Sequence, residues 1–378
     1  MLRIAIVNVT GGGISEGYKK YLKNILPRMS RHHKIKAILC ASPQNLAVPS
    51  WFKPMNNVTF VNCKPYKVFA KKDEDLLNQI EQFHPDVIFV PIERYFKYGD
   101  TPTVCMLQNM LPMAPLKHPT LLETIRNKVQ KSIARKAVER SRRIVAISCF
   151  VSDFLQSEWQ IPSHKIGIVY HGVELPRDEE LPVPAILSPE WANQFIFTAG
   201  SIEIFRGLED IILAVNKLKQ HGRDERVVIA GSARAATMSY YRKLQELVER
   251  LGLRRNICWA GMLNEKEMAW CLRNARAYIM SSRVEACPNT ALEAMSYGQI
   301  IISSTARPMY EFFRESAKYY ETGDEVKLAD CIIDVSRLSH AEKDRLSQAA
   351  MMRALEFSWE NTVDQTIAEF CKAVNNTN

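Results

Sequence analysis

Glu285 and Glu293, eight positions apart, have the setting in this 378-residue chain best suited to chemistry. They stand in Ser281-Ser282-Arg283-Val284-Glu285-Ala286-Cys287-Pro288-Asn289-Thr290-Ala291-Leu292-Glu293-Ala294-Met295-Ser296-Tyr297-Gly298, directly after an apolar run that reads as a strand. Pro288 suits a first helical turn and Gly298 suits a stop just past the last turn. A helix starting at the carboxyl edge of a parallel sheet offers unpaired backbone N–H groups, here near Asn289, Thr290 and Ala291. Such groups attract a diphosphate without help from a metal. Glu293 falls one to two turns into the helix, where its carboxylate can accept two hydrogen bonds from a ribose diol. Glu285, on the loop before, is placed to grip sugar hydroxyls. The spacing alone carries little, and a plain helix-surface glutamate is the competing reading of Glu293. The strand, the proline, the small residues and the glycine stop make the pattern specific.

The elements that must position these residues follow from periodicity. Short β-branched runs at 3–9, 36–40, 58–62, 87–91, 103–107, 143–148 and 166–170 alternate with helical patterns such as 17–30, 73–83 and 121–141. That is the signature of parallel strands joined by helices, a doubly wound sheet whose ligands sit at the carboxyl ends of its strands. Residues 174–191 carry Pro176, Pro182, Pro184 and Pro189 among acidic residues and read as a linker. The alternation then restarts, with strands at 195–199, 226–230, 257–260 and 277–281 and helices at 207–220, 240–251 and 265–274. Two Rossmann-like domains are expected, over 1–175 and 176–357. The periodic segment 358–378 is expected to pack back on the first as a helix.

Size agrees with two domains, because a single core stops growing near about 250 to 300 residues. No run of about 18 apolar residues without charge occurs, and the apolar start is too short for a signal peptide. The nine cysteines are scattered without a CxxC pair and read as reduced, mostly buried thiols of a cytoplasmic protein. The net charge of +9 is uneven, since residues 1–180 carry 26 basic against 16 acidic residues and residues 181–378 carry 24 against 25. Much of the excess lies between Lys117 and Arg143, where nine cations face only Glu123 and Glu139. Such a stretch suits anionic lipid, nucleic acid or a phosphate-bearing substrate, or is simply a solvated helix face. Nucleic acid is disfavoured because no aromatic-rich stacking platform accompanies the cations.

Glu285 and Glu293 with Ala294-Met295-Ser296-Tyr297-Gly298 resemble the E-x7-E signature of the retaining family 4 glycosyltransferases. The resemblance runs along most of the chain. Gly11-Gly12-Gly13 is similar to that family's glycine-rich loop, 144–148 to its "ivaiS" strand, and His171-Gly172-Val173-Glu174 to its "NGVD" turn. Ala199-Gly200-Ser201 with Arg206-Gly207 is similar to "GR…KG", Ala230-Gly231 to "iGxG", and Phe357-Ser358-Trp359-Glu360 to "fsWe". The resemblance implies an α/β GT-B fold, two Rossmann-like domains facing each other across a cleft. It implies that Glu293 holds the nucleotide ribose and Glu285 the transferred sugar. Arg206 would hold the diphosphate, with the amides of Asn289, Thr290 and Ala291, while Ser201 and Gly231 border the donor. Gly12 and Gly13 would border acceptor or donor phosphates; a plain structural turn is the competing reading of those glycines. A preorganised cation with helix N–H donors stabilises charge as it develops on a departing diphosphate.

Three departures from the family pattern stand out. Ser201 replaces a phosphate-binding arginine, Gln108 replaces a common histidine, and Cys287 lies where glycine and phenylalanine are usual. Gln108 can hydrogen-bond a sugar hydroxyl but cannot titrate. Asp73-Glu74-Asp75 matches the DxD metal pattern, yet it opens a helix, where acidic residues favour the dipole. His32, His33 and His118 have no third ligand nearby and read as solvated. No nucleophile elbow or P-loop occurs.

The sequence thus predicts a retaining, metal-independent hexosyltransferase using a nucleotide diphosphate sugar, with UDP slightly favoured over GDP. Its acceptor would be a lipid-linked or growing glycan of cell-surface polysaccharide or lipopolysaccharide biosynthesis. The basic first half would place it peripherally on the cytoplasmic face of an anionic membrane, with Met110, Leu111, Met113, Leu116, Leu121 and Leu122 dipping into the interface unless they belong to the core. The alternatives are a nucleotide-sugar epimerase or phosphorylase of the same fold, or a non-catalytic scaffold subunit.

Overall fold

The computed structural model describes residues 1–11, 13, 15–65, 73–113 and 121–375. Gly12, Leu116 and His118 lie outside them, as do the side chains of Leu121 and Leu122. Contacts divide the chain into two units, Met1–Gly172 with Ser358–Asn378, and Val173–Phe357.

In the first unit the order is β1 (Leu2–Val7), α1 (Glu16–Arg31), β2 (Ile35–Pro43), β3 (Val58–Cys63), α2 (Glu74–Phe83), β4 (Val87–Val90), β5 (Thr103–Leu107), α3 (Leu121–Arg140), β6 (Arg143–Ala146), α4 (Cys149–Ser157) and β7 (Ile166–Ile168). The sheet order is β3-β2-β1-β4-β5-β6-β7, and every pairing is parallel. Ile4, Ala5, Ile6 and Val7 are all fully buried, as a strand covered by helices on both faces requires. Ser15 caps α1 and Asp73 caps α2, its carboxylate accepting the Leu76 N–H. The acidic triplet thus supplies a helix cap. His32 is not solvated as expected. It packs within its own unit, 3.2 Å from Asp364 and stacked on His33.

The second unit runs β8 (Phe195–Ala199), α5 (Leu208–Gln220), β9 (Arg226–Ala230), α6 (Met238–Arg250), β10 (Ile257–Gly261), α7 (Glu265–Asn274), β11 (Ala277–Met280), α8 (Asn289–Ser296), β12 (Ile301–Ser304), α9 (Met309–Phe313), β13 (Ala317–Tyr320), α10 (Glu325–Arg337) and α11 (His340–Leu355). Its sheet order is β10-β9-β8-β11-β12-β13, again all parallel. The order reverses between β8 and β11, so the ligand crevice of such a sheet opens at their carboxyl ends.

The last helix, α12 (Trp359–Asn375), belongs to the first unit. Phe370 packs on Phe89 at 5.0 Å, and Glu369 forms a buried ion pair with Arg143. Gly167 has no Cβ because one would overlap the Glu369 carboxyl. Among the described residues no helix is long and apolar enough to cross a membrane.

Candidate active site

The sequence 277–298 folds as its pattern suggests, from strand through loop to helix. Tyr278, Ile279 and Met280 are buried in β11, the chain leaves the sheet at Ser281, and α8 begins at Asn289. Pro288 is the cap of α8 rather than its first residue, and Gly298 turns the chain out of the helix with φ +71°. The loop is laced to the turn after β8. Ser281 Oγ donates to the Arg206 carbonyl at 2.7 Å, and the Arg283 N–H donates to the Phe205 carbonyl at 2.7 Å. Gly207, at φ +60°, lets the two segments touch, since a Cβ there would stand 2.5 Å from the Ser281 carbonyl.

This lacing brings Arg206 to Glu285. Arg206 Nη1 lies 2.8 Å from Glu285 Oε1, with side-chain exposures of 18% and 12%. Burial pushes the Glu285 carboxyl above its ordinary range, against the opposing pull of the Arg206 guanidinium and the Ser282 hydroxyl. A pocket at the carboxyl ends of β8, β9 and β11 is lined by Gly200, Ser201, Arg206, Ala230, Ser281 and Ser282, among others. Gly200 has φ +146°, and a Cβ on it would lie 2.8 Å from Arg206 Cζ. Gly231, at φ +128°, lets its own turn close on the Gly200 carbonyl. Both glycines are therefore demanded by close approach, whereas a Cβ on Gly13 would meet nothing within 4 Å.

The helix start corrects one expectation. The Asn289 N–H donates to Cys287 O and the Ala291 N–H to Pro288 O, each at 3.0 Å. An inverse γ-turn at Pro288 and a 3₁₀-type bond after it have consumed two of the three amides expected to be unpaired. Thr290 is the one of the three whose N–H no backbone carbonyl takes among the described residues. Its hydroxyl is bonded to the Tyr278 phenol at 2.8 Å. Glu293 lies half-buried on α8 between buried Leu292 and Ala294, and Ser201 is exposed beside Gly200.

Gln108 belongs to the first unit, and its amide is largely committed there. Nε2 donates to Pro91 O at 2.6 Å and approaches Met106 Sδ at 3.1 Å. Beside it stands Glu93, which sequence reading did not single out. Its Oε1 accepts the backbone N–H of Gln108 and, at 2.6 Å, that of Asn109. Asp210 and Tyr278 were also missed. Asp210 is buried, 3.0 Å from Arg283 and 3.0 Å from the Gly323 N–H. A tyrosine in an apolar strand is the signal that marks Tyr278, because a buried phenol needs a partner. Nothing local distinguishes Asp210 from other acidic residues of a first helical turn.

Comparison with known proteins gives this architecture its class. Residues 188–351 match the family described as glycosyl transferases group 1, and residues 16–177 match glycosyltransferase family 4. The chain belongs to the group 1 glycosyltransferases of the GT-B fold. It is 25% identical over 221 residues to D-inositol 3-phosphate glycosyltransferase of Mycobacterium leprae, covering 56% of this chain and 50% of that protein. The chain thus spans about half the length of the curated relatives it matches first. A glycosyltransferase structure from Rickettsia africae superposes with a TM-score of 0.73 at 16% identity, covering 99% of this chain and 98% of the other. Anabaena HepE, solved in complex with UDP-glucose, superposes with a TM-score of 0.73 at 14% identity, covering 97% and 99%. At that identity the likeness speaks to fold.

Proposed function

We propose that this glycosyltransferase is a retaining hexosyltransferase that draws a sugar from a nucleotide diphosphate donor without a metal. The ion pair between Arg206 and Glu285 carries the proposal. It stands at the switch point of the second sheet, where such folds take their ligands, and close to the mouth of α8. Arg206 holds the diphosphate, together with the Thr290 N–H. Glu285 turns to the sugar hydroxyls, and Glu293 holds the ribose diol. Charge that develops on the departing diphosphate meets a fixed guanidinium and the positive end of a helix. UDP is the favoured nucleotide, a preference consistent with the UDP-sugar bound by Anabaena HepE. The second unit takes the donor, with Ser201 and Gly231 at its border, and the first takes the acceptor through the loop of Gly12 and Gly13 and through Gln108.

The acceptor is a lipid-linked or growing glycan of cell-surface polysaccharide or lipopolysaccharide assembly, met at the cytoplasmic face of an anionic membrane. Helix α3 supports this, because it exposes Ile125 and Val129, 51% and 48% accessible, among Arg126, Lys128, Lys131, Arg135, Lys136 and Arg140. Met110, by contrast, is buried at 3% and joins the core instead of the interface.

A thermal-shift panel of UDP- and GDP-sugars, followed by an assay of acceptor-dependent nucleotide release, tests the proposal. Binding of a UDP-sugar and release only with acceptor are the expected results. Release without acceptor would identify an epimerase or phosphorylase, and no binding at all a scaffold. Loss of donor binding in Glu293→Ala ties the activity to this site.

A further inference from the structure

The hydroxyl of Tyr278 has no role in the site as described so far. Tyr278 sits in β11, fully buried, between apolar neighbours that a phenylalanine would serve as well. Its oxygen has three polar neighbours. The Ala199 N–H approaches at 3.3 Å, Thr290 Oγ1 lies at 2.8 Å, and Ala199 O at 3.2 Å. Thr290 Oγ1 is in turn 3.4 Å from Ala199 O. A phenol has one proton, and the shortest of these contacts, 2.8 Å, assigns it to Thr290 Oγ1. The Ala199 N–H donates to Tyr278 Oη, the Tyr278 O–H to Thr290 Oγ1, and the Thr290 O–H to Ala199 O.

This closed ring ties the last residue of β8 to the second residue of α8 through the middle of β11. On one side of it lies Gly200, which follows Ala199 and supports the Arg206 guanidinium so closely that a Cβ would be 2.8 Å from Cζ. On the other side lies the Thr290 N–H, which no backbone carbonyl takes among the described residues. Burial holds the phenol above its ordinary range despite the pull of the Thr290 hydroxyl and the Arg206 guanidinium, so it remains a donor at neutral pH.

We propose that Tyr278 is a positioning residue for the donor's diphosphate. Its hydroxyl sets the end of β8 and the first turn of α8 in one register, so that Arg206 and the Thr290 N–H close on the same phosphate. That phosphate is the terminal one, next to the transferred sugar, because Arg206 is paired with the glutamate that turns to the sugar. The inference rests on the nucleotide-sugar function proposed above.

Titration calorimetry of wild type and Tyr278→Phe with UDP and with UMP tests it, with GDP and GMP run in parallel. The expected result is that Kd for the diphosphate rises about tenfold while Kd for the monophosphate stays within about twofold. Thr290→Val should show the same selective loss, and Thr290→Ser, which keeps the hydroxyl, should restore the wild-type ratio. A hydroxyl that merely stabilised the fold would lower Tm and weaken both nucleotides alike. An unchanged ratio in folded Tyr278→Phe, or Thr290→Ser behaving like Thr290→Val, overturns the inference and leaves the donor assignment standing. Wild type binding none of the four nucleotides overturns both.

Discussion

Arg206 Nη1 stands 2.8 Å from Glu285 Oε1, with both side chains more than four-fifths buried, so the site's cation is already neutralised within the second unit. In the function proposed above, a diphosphate entering the pocket competes with Glu285 for that guanidinium, and the freed carboxylate turns to the sugar that the diphosphate carries. That proposal couples phosphate binding and sugar recognition through one exchange of partners.

Removing the competitor separates the two steps. Glu285→Gln should raise affinity for UDP about three- to tenfold, because Arg206 is no longer held by a carboxylate. Turnover should fall on the order of 100-fold, since the group proposed to orient the sugar is gone. Calorimetry and initial rates on the same preparation check this, and unchanged UDP affinity would refute the exchange.

Gly200 gives an independent handle on the same guanidinium. Its φ of +146° disfavours any side chain, and a Cβ would stand 2.8 Å from Arg206 Cζ. Gly200→Ala should displace the arginine and weaken UDP about tenfold, with a stability cost of roughly 1 to 3 kcal/mol from backbone strain. Gly13→Ala, with nothing within 4 Å of the added atom, should cost no stability through steric overlap. Equal melting temperatures for wild type and Gly200→Ala would count against the steric argument.

The contrast between these glycines shows what the sequence could convey. Glycine-rich turns after strands were legible, but which glycine bears a close contact depends on where a partner comes to lie in the fold, as Arg206 does for Gly200 and the distant Ser281 does for Gly207. The strands of both sheets up to β11 were legible because each is a short β-branched run bounded by breakers. The region after Gly298 was not. Helix α11 buries only Ala350 and Ala354, which leaves its pattern nearly without an apolar stripe. The placement of Glu285 on the loop after β11 and of Glu293 within α8 could be read from local context. The rings and clamps around them, Tyr278 with Thr290 and Asp210 with Arg283, join residues 12 and 73 positions apart and leave no periodic trace. The helix-start amides were misjudged because a tight first turn can satisfy them from within.

Glu369 anchors α12 to the first unit through Arg143, whose side chain is only 7% exposed. Glu369→Ala leaves that guanidinium buried and uncompensated, which costs on the order of 3 to 5 kcal/mol. Chemical denaturation should show the loss, and Tm should fall by several degrees. A change below about 1 kcal/mol would mean that Arg143 finds another partner.

Glu93 supplies a pH dependence of definite sign. Burial raises its carboxyl above the usual range, although three backbone N–H groups, its own and those of Gln108 and Asn109, pull it down. Tyr18, Cys105 and Arg94 face it from α1, β5 and the adjoining loop. The folded state therefore holds this proton more tightly than the unfolded chain. Its contribution to stability is full below the ordinary carboxylate range and is lost as pH rises through the raised value. Glu93→Gln keeps an oxygen for the two amides but cannot ionise. Its stability relative to wild type should improve as pH is raised from about 4 to about 7. Parallel denaturation curves at every pH would refute this.

Helix α3 carries the membrane proposal to a measurement. Arg135, Lys136 and Arg140 lie exposed on its surface, Arg142 follows it, and among the described residues Arg135 alone of these has an ion-pair partner, Glu139 at 2.8 Å. Each exposed cation near an anionic leaflet is worth about 1 kcal/mol, and the attraction decays within a Debye length of about 8 Å at physiological salt. Replacing all four by glutamine should weaken sedimentation with phosphatidylserine vesicles by roughly 100-fold at low salt and by much less at high salt. Ile125→Ser with Val129→Ser should weaken it further without changing the salt dependence, because those side chains act by burial rather than by charge. Binding that ignored both sets of changes would remove α3 as the docking element and leave its cations as a solvated helix face.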